Sequence, residues 1–366
     1  MIIKKLKAES FRNIKSCDLD FNPGVNMLYG NNAQGKTNAV EAMYIFARGK
    51  SFRAREDKEL IKFGEEGFRI YIEYEDKSGI NSLEYSYFAK ERRRKKNGYK
   101  IDGVKEMIGN FKAVLFYPDD LSLVKESPEK RRDFLNVAIS QCYKSYVSYY
   151  YNYKKALENR NCLLKFSSKG IYVDENELIS WSQYMAEYAA HIYMMRREYV
   201  EKLKIYSKRI MEEISEGKEI LDIFYKSDLK NEISDLNLVK EEYKKILTAD
   251  IEREKLVGTS LFGVHRDDLD ININGVSARI FASQGQQRSI VLSLKLGEGE
   301  VNKDVCGEYP VFLFDDVLSE LDEKRKKYIF NGIEKRQIII TSCEEDKNMG
   351  EDVKKIIVNS GEYSLK

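Results

Sequence analysis

Three short stretches hold residue types whose spacing can do chemistry. "GNNAQGKT", Gly30 to Thr37, fits G-x-x-x-x-G-K-[ST] and falls between the apolar run "VNMLY" and a helical pattern rich in Ala, Met, Ile and Phe. That context suits phosphate binding. Glycines let the backbone N–H groups across Gly30, Asn31, Asn32, Ala33, Gln34 and Gly35 face a phosphate-sized nest. Lys36 is expected to reach the β- and γ-phosphates of ATP and the Thr37 hydroxyl to ligate Mg²⁺, with Asn38 closing the nucleotide set. "VFLFDD", Val311 to Asp316, joins four apolar residues to two carboxylates. It reads as a strand buried on both faces, with acids at the end where open α/β sheets bind ligands. Asp315 is expected to hold Mg²⁺ through water, and Asp316 to orient or deprotonate an attacking water. "ASQGQQRSIV", residues 282 to 291, crowds three glutamines and a glycine at the start of an apolar helix. Ser283 Oγ, the Gly285 N–H and the positive end of a helix opening at Gln286, with Gln284 between them, make a second phosphate-binding end without a charged side chain. The plainer alternative is a glutamine-rich N-cap. Two such ends in one chain suggest a nucleotide held between two surfaces.

The elements that position these stretches follow from periodicity. The first residues alternate in short runs and turn at Asn22-Pro23-Gly24, which reads as antiparallel strands leading to "VNMLY". Strand signals return from Phe68 to about Met107, with turn pairs at Asn97-Gly98 and Asp102-Gly103. At Ser127-Pro128 an N-cap followed by proline marks a change to helical composition, and no proline occurs again until Pro310. One helical pattern runs to the "SSKG" break at 167 to 170, a longer one from about Glu175 to Gly217, and a third from about Leu238 to Leu256 after the alternating "ILDIFY". After Gly258 the β pattern resumes, and strand, helix, strand ("VFLF", then "QIIIT") indicates a parallel sheet. The expected division is 1–126 and 258–366 as one α/β head with an antiparallel β part, and 127–257 as an inserted helical lobe. An arm of about 40 residues spans roughly 60 Å at most, which excludes a long coiled coil. The tyrosines Tyr143, Tyr146, Tyr149, Tyr150, Tyr151 and Tyr153 read as packing residues rather than a base-stacking row.

The 366 residues carry 62 Lys and Arg against 60 Asp and Glu, a formal net charge of +2, so any nucleic-acid contact must come from local patches. Five scattered cysteines without a C-x-x-C pair argue against a disulfide framework or zinc site. Charges every few residues in "MIIKKLKAESF", and the lack of an apolar run near the roughly 18 residues of a membrane span, lead to the expectation of a soluble cytoplasmic protein with no membrane partner. Two histidines, His191 and His265, stand far apart and read as structural. Two basic sets are candidates for DNA contact: Arg92, Arg93, Arg94, Lys95 and Lys96 in "KERRRKK", read as a hairpin tip, and Arg48, Lys50, Arg53 and Arg55 beside the nucleotide helix.

Beyond these local readings, "SQGQQ" resembles the signature motif of ABC-type ATPases, "VLSELDE" (317 to 323) their Walker B and D-loop continuation, and "ESFRNIKSCDLDF" the N-terminus of the SMC-like branch. The blocks "NNAQGKTNAVEAMYIFARGKSFRAREDKELI", "FYPDDLSLVKESPEKRRDFLN", "GVHRDDL", "SQGQQRSIVLSLKL" and "YPVFLFDDVLSELDEKR" extend the resemblance over most of the chain, to the bacterial RecF family of recombination-repair proteins. The resemblance implies an ABC-type head with a short helical lobe and an ATP-bridged, head-to-head homodimer. It further implies binding of single-stranded, gapped or duplex DNA in recombinational repair, replication restart and SOS induction, partnership with recombination mediator proteins, and association with the nucleoid. By the same resemblance Arg12 lies near the nucleotide, the segment around Pro118 and Asp119 takes the place of the Q-loop, and Asp322 lies at the dimer interface. The chain departs from many ABC ATPases in carrying Asp316 where they have Glu, and "TSCE", with Thr341 and Ser342, where they place a switch His. Both departures point to slow hydrolysis. Within the family pattern Val264 and Glu126 replace the usual Pro and Gly. A transporter ATPase subunit is the competing reading. It fits poorly with roughly 270 residues between the two nucleotide motifs and with the missing His.

Overall fold

The computed structural model describes residues 1–229, 233–318, 321–330, 336–343 and 353–365. These fall into two compact units. The first comprises Met1–Leu121, Tyr206–Glu219 and Ser283–Lys366, the second Ser122–Ile205 and Ile220–Ala282.

The first unit contains two six-stranded sheets. One is antiparallel, in the order Ile14–Asp20, Ile2–Phe11, Gly67–Asp76, Gly79–Phe88, Glu91–Lys96, Tyr99–Lys100. The alternation read from the sequence is visible in its burial: Phe68, Ile70, Ile72 and Tyr74 point inward along one strand. The other sheet runs Glu362–Leu365, Lys354–Asn359, Val25–Tyr29, Ile338–Ser342, Val311–Asp315, Ala113–Phe116. All of its pairings are parallel except that of the terminal hairpin Lys354–Asn359 with Glu362–Leu365. "VNML", "VFLFD" and "AVLF" are buried at every position. Runs apolar but for Asn26 and the terminal Asp315 are what a strand covered on both faces requires.

Two helices serve this sheet. Lys36–Arg48 is buried from Ala39 to Ala47 and ends at Gly49, whose φ of 83° gives the left-handed C-cap. Gln284–Cys306 is buried continuously from Ser289 to Asn302. Gly299 lets it approach the acidic strand, because a Cβ there would stand 2.2 Å from the Phe312 ring.

The second unit holds helices Pro128–Cys142, Lys144–Ser167, Leu236–Ala249 and Ile251–Val257, together with the antiparallel strands Val276–Ser277, Asp268–Ile273 and Leu221–Lys226. The helix Glu175–Ser215 has 41 residues, of which those from Tyr206 onward belong to the first unit. Two arginines with essentially no exposure organise this unit. Arg160 donates to Ser182 Oγ, Ser260 Oγ, the Leu247 carbonyl and, at 2.6 Å, Glu254. Arg196 donates to Tyr146 Oη, the Val264 carbonyl, Asn136 Oδ1 and Asp267. A buried guanidinium is tolerable only with this degree of hydrogen bonding.

Several sequence readings change here. The pattern from 128 to 167 is two helices, parted at Tyr143 by extended backbone (φ −128°, ψ 104°), and that from 238 to 256 is likewise broken at Asp250. Gly103 opens a short helix, Gly103–Met107, rather than only completing a turn. Pro128 takes the first helical position, but the Ser127 side chain makes no cap bond. The expected boundary at 257/258 lies inside the second unit, since Asp268–Ile273 pairs with Leu221–Lys226. Tyr146 and Tyr153 are fully buried, and Tyr149 stacks on His191 at 4.2 Å, which accords with packing roles, while Tyr151 is exposed. His265 is held on both sides, near the Tyr153 hydroxyl (2.6 Å) and the Ser260 carbonyl (3.3 Å).

Candidate nucleotide site

The carboxyl ends of three neighbouring parallel strands build the site. Register places Asp315 opposite Thr341, and Thr341 opposite Leu28, so the chain leaves the sheet at Tyr29, Asp315 and Ser342 along one edge. Ligands of open α/β sheets sit outside such an edge.

From Tyr29 the chain enters the glycine loop. Gly30 (φ 153°), Ala33 (φ 63°) and Gly35 (φ 114°) take backbone conformations that turn successive N–H groups to one side. Gly30 is required for a second reason: a Cβ there would lie 2.2 Å from the Val358 carbonyl oxygen. Lys36 is buried and its ammonium donates to the carbonyls of Gly30 (2.6 Å) and Asn31 (2.9 Å). The outer side of the loop is tied down by residues distant in sequence. Asn13 Nδ2 and the Gly361 N–H donate to the Gln34 carbonyl, the Ser360 N–H donates to Gln34 Oε1, and the Tyr363 hydroxyl donates to the Gly35 carbonyl.

Thr37 and Asp315 meet in front of this loop. Thr37 Oγ1 donates to Asp315 Oδ1 at 2.9 Å, and Thr341 Oγ1 donates to the same oxygen at 2.7 Å. Burial pushes the Asp315 carboxyl above its ordinary range, and the two hydroxyls and the charge of Arg53 offset this only in part. No described group of three or more His, Cys, Asp or Glu residues forms a metal cage. One hydroxyl beside one desolvated carboxylate suits Mg²⁺, which keeps several waters and takes further oxygens from a polyphosphate. Asp316 follows at φ 54°, with its N–H on Thr341 Oγ1 at 2.9 Å. Cys343 Sγ lies 2.8 Å from Asn32 Oδ1 and 3.7 Å from Asp316 Oδ1.

Beside the loop, Arg12 (φ 55°) makes a two-pronged contact with the fully buried Glu41 at 3.0 and 2.9 Å. Arg53 donates to Glu41 and to Asn38 Oδ1, and the Asn38 amide donates to Asn13. Burial alone would raise the Glu41 carboxyl; the Arg12 and Arg53 guanidiniums and the Ser51 hydroxyl outweigh it and hold it below the usual range. Arg53, expected among the DNA candidates, is thus turned into the nucleotide site.

The "SQGQQ" helix begins at Gln284, with Ser283 as N-cap. Ser283 Oγ accepts the Gln286 N–H (3.2 Å) and Gln286 Oε1 accepts the Ser283 N–H (2.9 Å), a reciprocal capping box. The glutamine-rich N-cap is therefore present. It leaves the hydroxyl proton of Ser283 and the helix's positive end for a further acceptor. Arg325 donates to the Gly285 carbonyl and to Ser289 Oγ and pairs with Asp322, which joins this motif to the D-loop stretch. Ser319 and Glu320 of that stretch, and Glu344 of "TSCE", lie outside the described residues. Pro118 and Asp119 sit in a short 3₁₀ turn, Pro118–Leu121, whose buried Asp120 pairs with Lys295 at 3.0 Å.

The basic run is a strand rather than a hairpin tip, and its cations are engaged locally. Arg92 pairs with Asp57, Arg93 with Glu91 and Lys95 with Glu84, Arg94 lies over the Tyr85 ring, and Lys96 donates to Asn110. Of the second set, Arg48 donates to the Ser51 carbonyl at the helix end, whereas Lys50 and Arg55 are exposed. Sequence reading gave no role to Asn13, Glu41 and Ser51, although all three lie inside the quoted blocks, or to the terminal hairpin with Ser360, Gly361 and Tyr363, which lies in no motif.

Fold and site together define an ABC-type ATPase head of the SMC-like kind. The family model for the RecF/RecN/SMC N-terminal domain matches residues 2–362. The DNA replication and repair protein RecF of Clostridioides difficile is 39% identical over 351 residues, spanning 94% of this chain and 92% of its own length. That of Caldanaerobacter subterraneus is also 39% identical, over 349 residues, with 93% and 94% covered. The solved structure of the recombination mediator protein RecF-ATPrS in the RecFOR pathway superposes with a TM-score of 0.92 at 37% identity, covering 99% of this chain and 97% of that one. An Smc head domain from Pyrococcus furiosus, at 16% identity and a TM-score of 0.58, shares the fold. The chain belongs to the RecF family.

Proposed function

We propose that this chain is an ATP-dependent DNA-binding protein of recombinational repair, in which Mg²⁺ and ATP join two copies head to head and slow hydrolysis releases them. The observation that carries this reading is the meeting of Thr37 and Asp315 at 2.9 Å in front of the glycine loop, where a γ-phosphate and its cation would sit. On this reading Gly30 to Asn38 hold the phosphates, Lys36 neutralises them, and Thr37 and Asp315 hold Mg²⁺. Arg12 flanks the nucleotide and Asp316 orients the attacking water. Ser283, Gln284, Gly285 and Gln286 close on the γ-phosphate bound by a second copy, with Asp322 at the junction.

The relatives' naming as replication and repair proteins, and the RecFOR pathway of the solved neighbour, support DNA as the partner. With a net charge of +2, affinity must come from patches combined in the dimer, so binding should need ATP and weaken with salt. Single-stranded, gapped and duplex DNA are the substrates to compare. Filter binding with ATP, with ADP and without nucleotide tests the reading, and retention of DNA to the same extent in all three would refute ATP control. Since Arg92, Arg93 and Arg94 already have partners in Asp57, Glu91 and the Tyr85 ring, their joint replacement by Ala is expected to lower the salt slope by only about one. An unchanged slope would move attention to Lys50 and Arg55.

A further inference from the structure

We infer that Thr341 is a positioning residue for ATP hydrolysis, setting both carboxylates of the acidic pair through one hydroxyl. Thr341 is 1% exposed and stands in mid-sheet between the strand that ends in Asp315 and the strand that enters the glycine loop. Its hydroxyl has a single proton, donated to Asp315 Oδ1 at 2.7 Å, and a lone pair that accepts the Asp316 N–H at 2.9 Å. The two bonds do different things. The first fixes the carboxylate oxygen that also receives the Thr37 proton, and so holds Asp315 against Thr37, the two residues that would bind Mg²⁺. The second ties down the backbone of Asp316, which lies at φ 54°. A residue with a Cβ meets steric strain in that region and persists there only when its surroundings enforce it.

This inference rests on the proposed ATP hydrolysis and adds a determinant to it. In hydrolysis the water oxygen forms a bond to the γ-phosphorus while the bond from that phosphorus to the β–γ bridging oxygen breaks. The water proton passes to the Asp316 carboxylate and from there to the departing phosphate. Asp316 is one methylene shorter than glutamate and has less reach to correct an error in its backbone, so its φ decides whether the carboxylate meets the water. Thr341 and Ser342 stand where many ABC ATPases have a histidine, and among the described residues Thr341 is the buried side chain bonded to both acids.

The test compares Thr341→Val, which keeps shape and β-branching but loses the hydroxyl, with Thr341→Ser, which keeps the hydroxyl. Both are made in the full chain, and ATP affinity is read by titration with a fluorescent ATP analogue and turnover by phosphate release. Thr341→Val is expected to lose about tenfold or more in kcat with nucleotide affinity within about threefold of wild type, and Thr341→Ser to return kcat to within about threefold. Wild-type kcat in Thr341→Val, or a serine variant as slow as the valine one, would overturn the inference. So would a loss of affinity in Thr341→Val matching its loss of turnover, since that marks a merely structural role. A wild-type chain that neither binds nor hydrolyses ATP would instead remove the functional reading beneath it.

Discussion

Thr37 Oγ1 and Asp315 Oδ1 lie 2.9 Å apart across 278 residues of sequence, and the parallel sheet exists in that order to bring them together. Asp315 is stabilised there by two hydroxyls and by no directly bonded cation among the described residues, so in the nucleotide-free chain its burial works against the fold.

Asp315→Asn should therefore raise the melting temperature of the nucleotide-free protein while abolishing the gain in stability that Mg²⁺ and ATP give the wild type. Asn Oδ1 can still accept from Thr37 and Thr341. Scanning calorimetry with and without the nucleotide checks both halves, and a lower melting temperature in the apo variant would contradict the account.

Asp316→Asn removes the carboxylate proposed as the base and keeps the backbone bond to Thr341. ATP binding should survive, turnover should fall by about 10²-fold or more, and the ATP-bound state should accumulate. Equal turnover in wild type and variant would remove Asp316 from the mechanism.

Glu298, 2% exposed within the helix Gln284–Cys306, is pushed up to about 7 by burial, a rise that the Lys295 charge reduces and the Asp120 charge adds to. An acid raised in the folded state is most favourable while protonated, so its contribution is lost as pH climbs from the ordinary glutamate value of 4.5 through about 7. Glu298→Gln should be more stable than wild type at pH 8 by about 3 kcal/mol and within about 1 kcal/mol of it at pH 5. Urea unfolding at the two pH values measures this, and a pH-independent difference would contradict it.

Arg160→Ala strands the buried Glu254 together with three neutral acceptors. The cost should be about 3–5 kcal/mol, and pairing the change with Glu254→Gln should return part of it. Strict additivity of the two changes would show that the pair is not coupled.

How much of this was legible beforehand depended on distance along the chain. The glycine loop, the acidic strand and the "SQGQQ" helix start are each contiguous, and their apolar flanks announced strands buried on both faces. Thr341 was visible only as the absence of histidine, because its partners Asp315 and Asp316 meet it through sheet register. Glu41 reads as a polar residue in an apolar helix until Arg12, Ser51 and Arg53 close over it. Arg53, assigned by composition to a basic patch, is claimed by that buried carboxylate. In the second unit, Tyr143 and Asp250 break helices without glycine or proline, and the partner of Asp268–Ile273 lies beyond the boundary that composition suggested.

The central claim is that the Ser283 end of one copy closes on the ATP held by the glycine loop of another. Sedimentation velocity with Mg²⁺ and ATP tests it most directly. The wild-type chain should sediment as a species of twice 42.7 kDa with ATP and as a monomer with ADP. Ser283→Arg should bind ATP yet remain monomeric, and Lys36→Met should lose nucleotide binding itself. Mixed together, the two variants should recover part of the ATP-dependent dimer through the one intact composite site. Normal ATP-dependent dimerisation by Ser283→Arg alone would contradict the account.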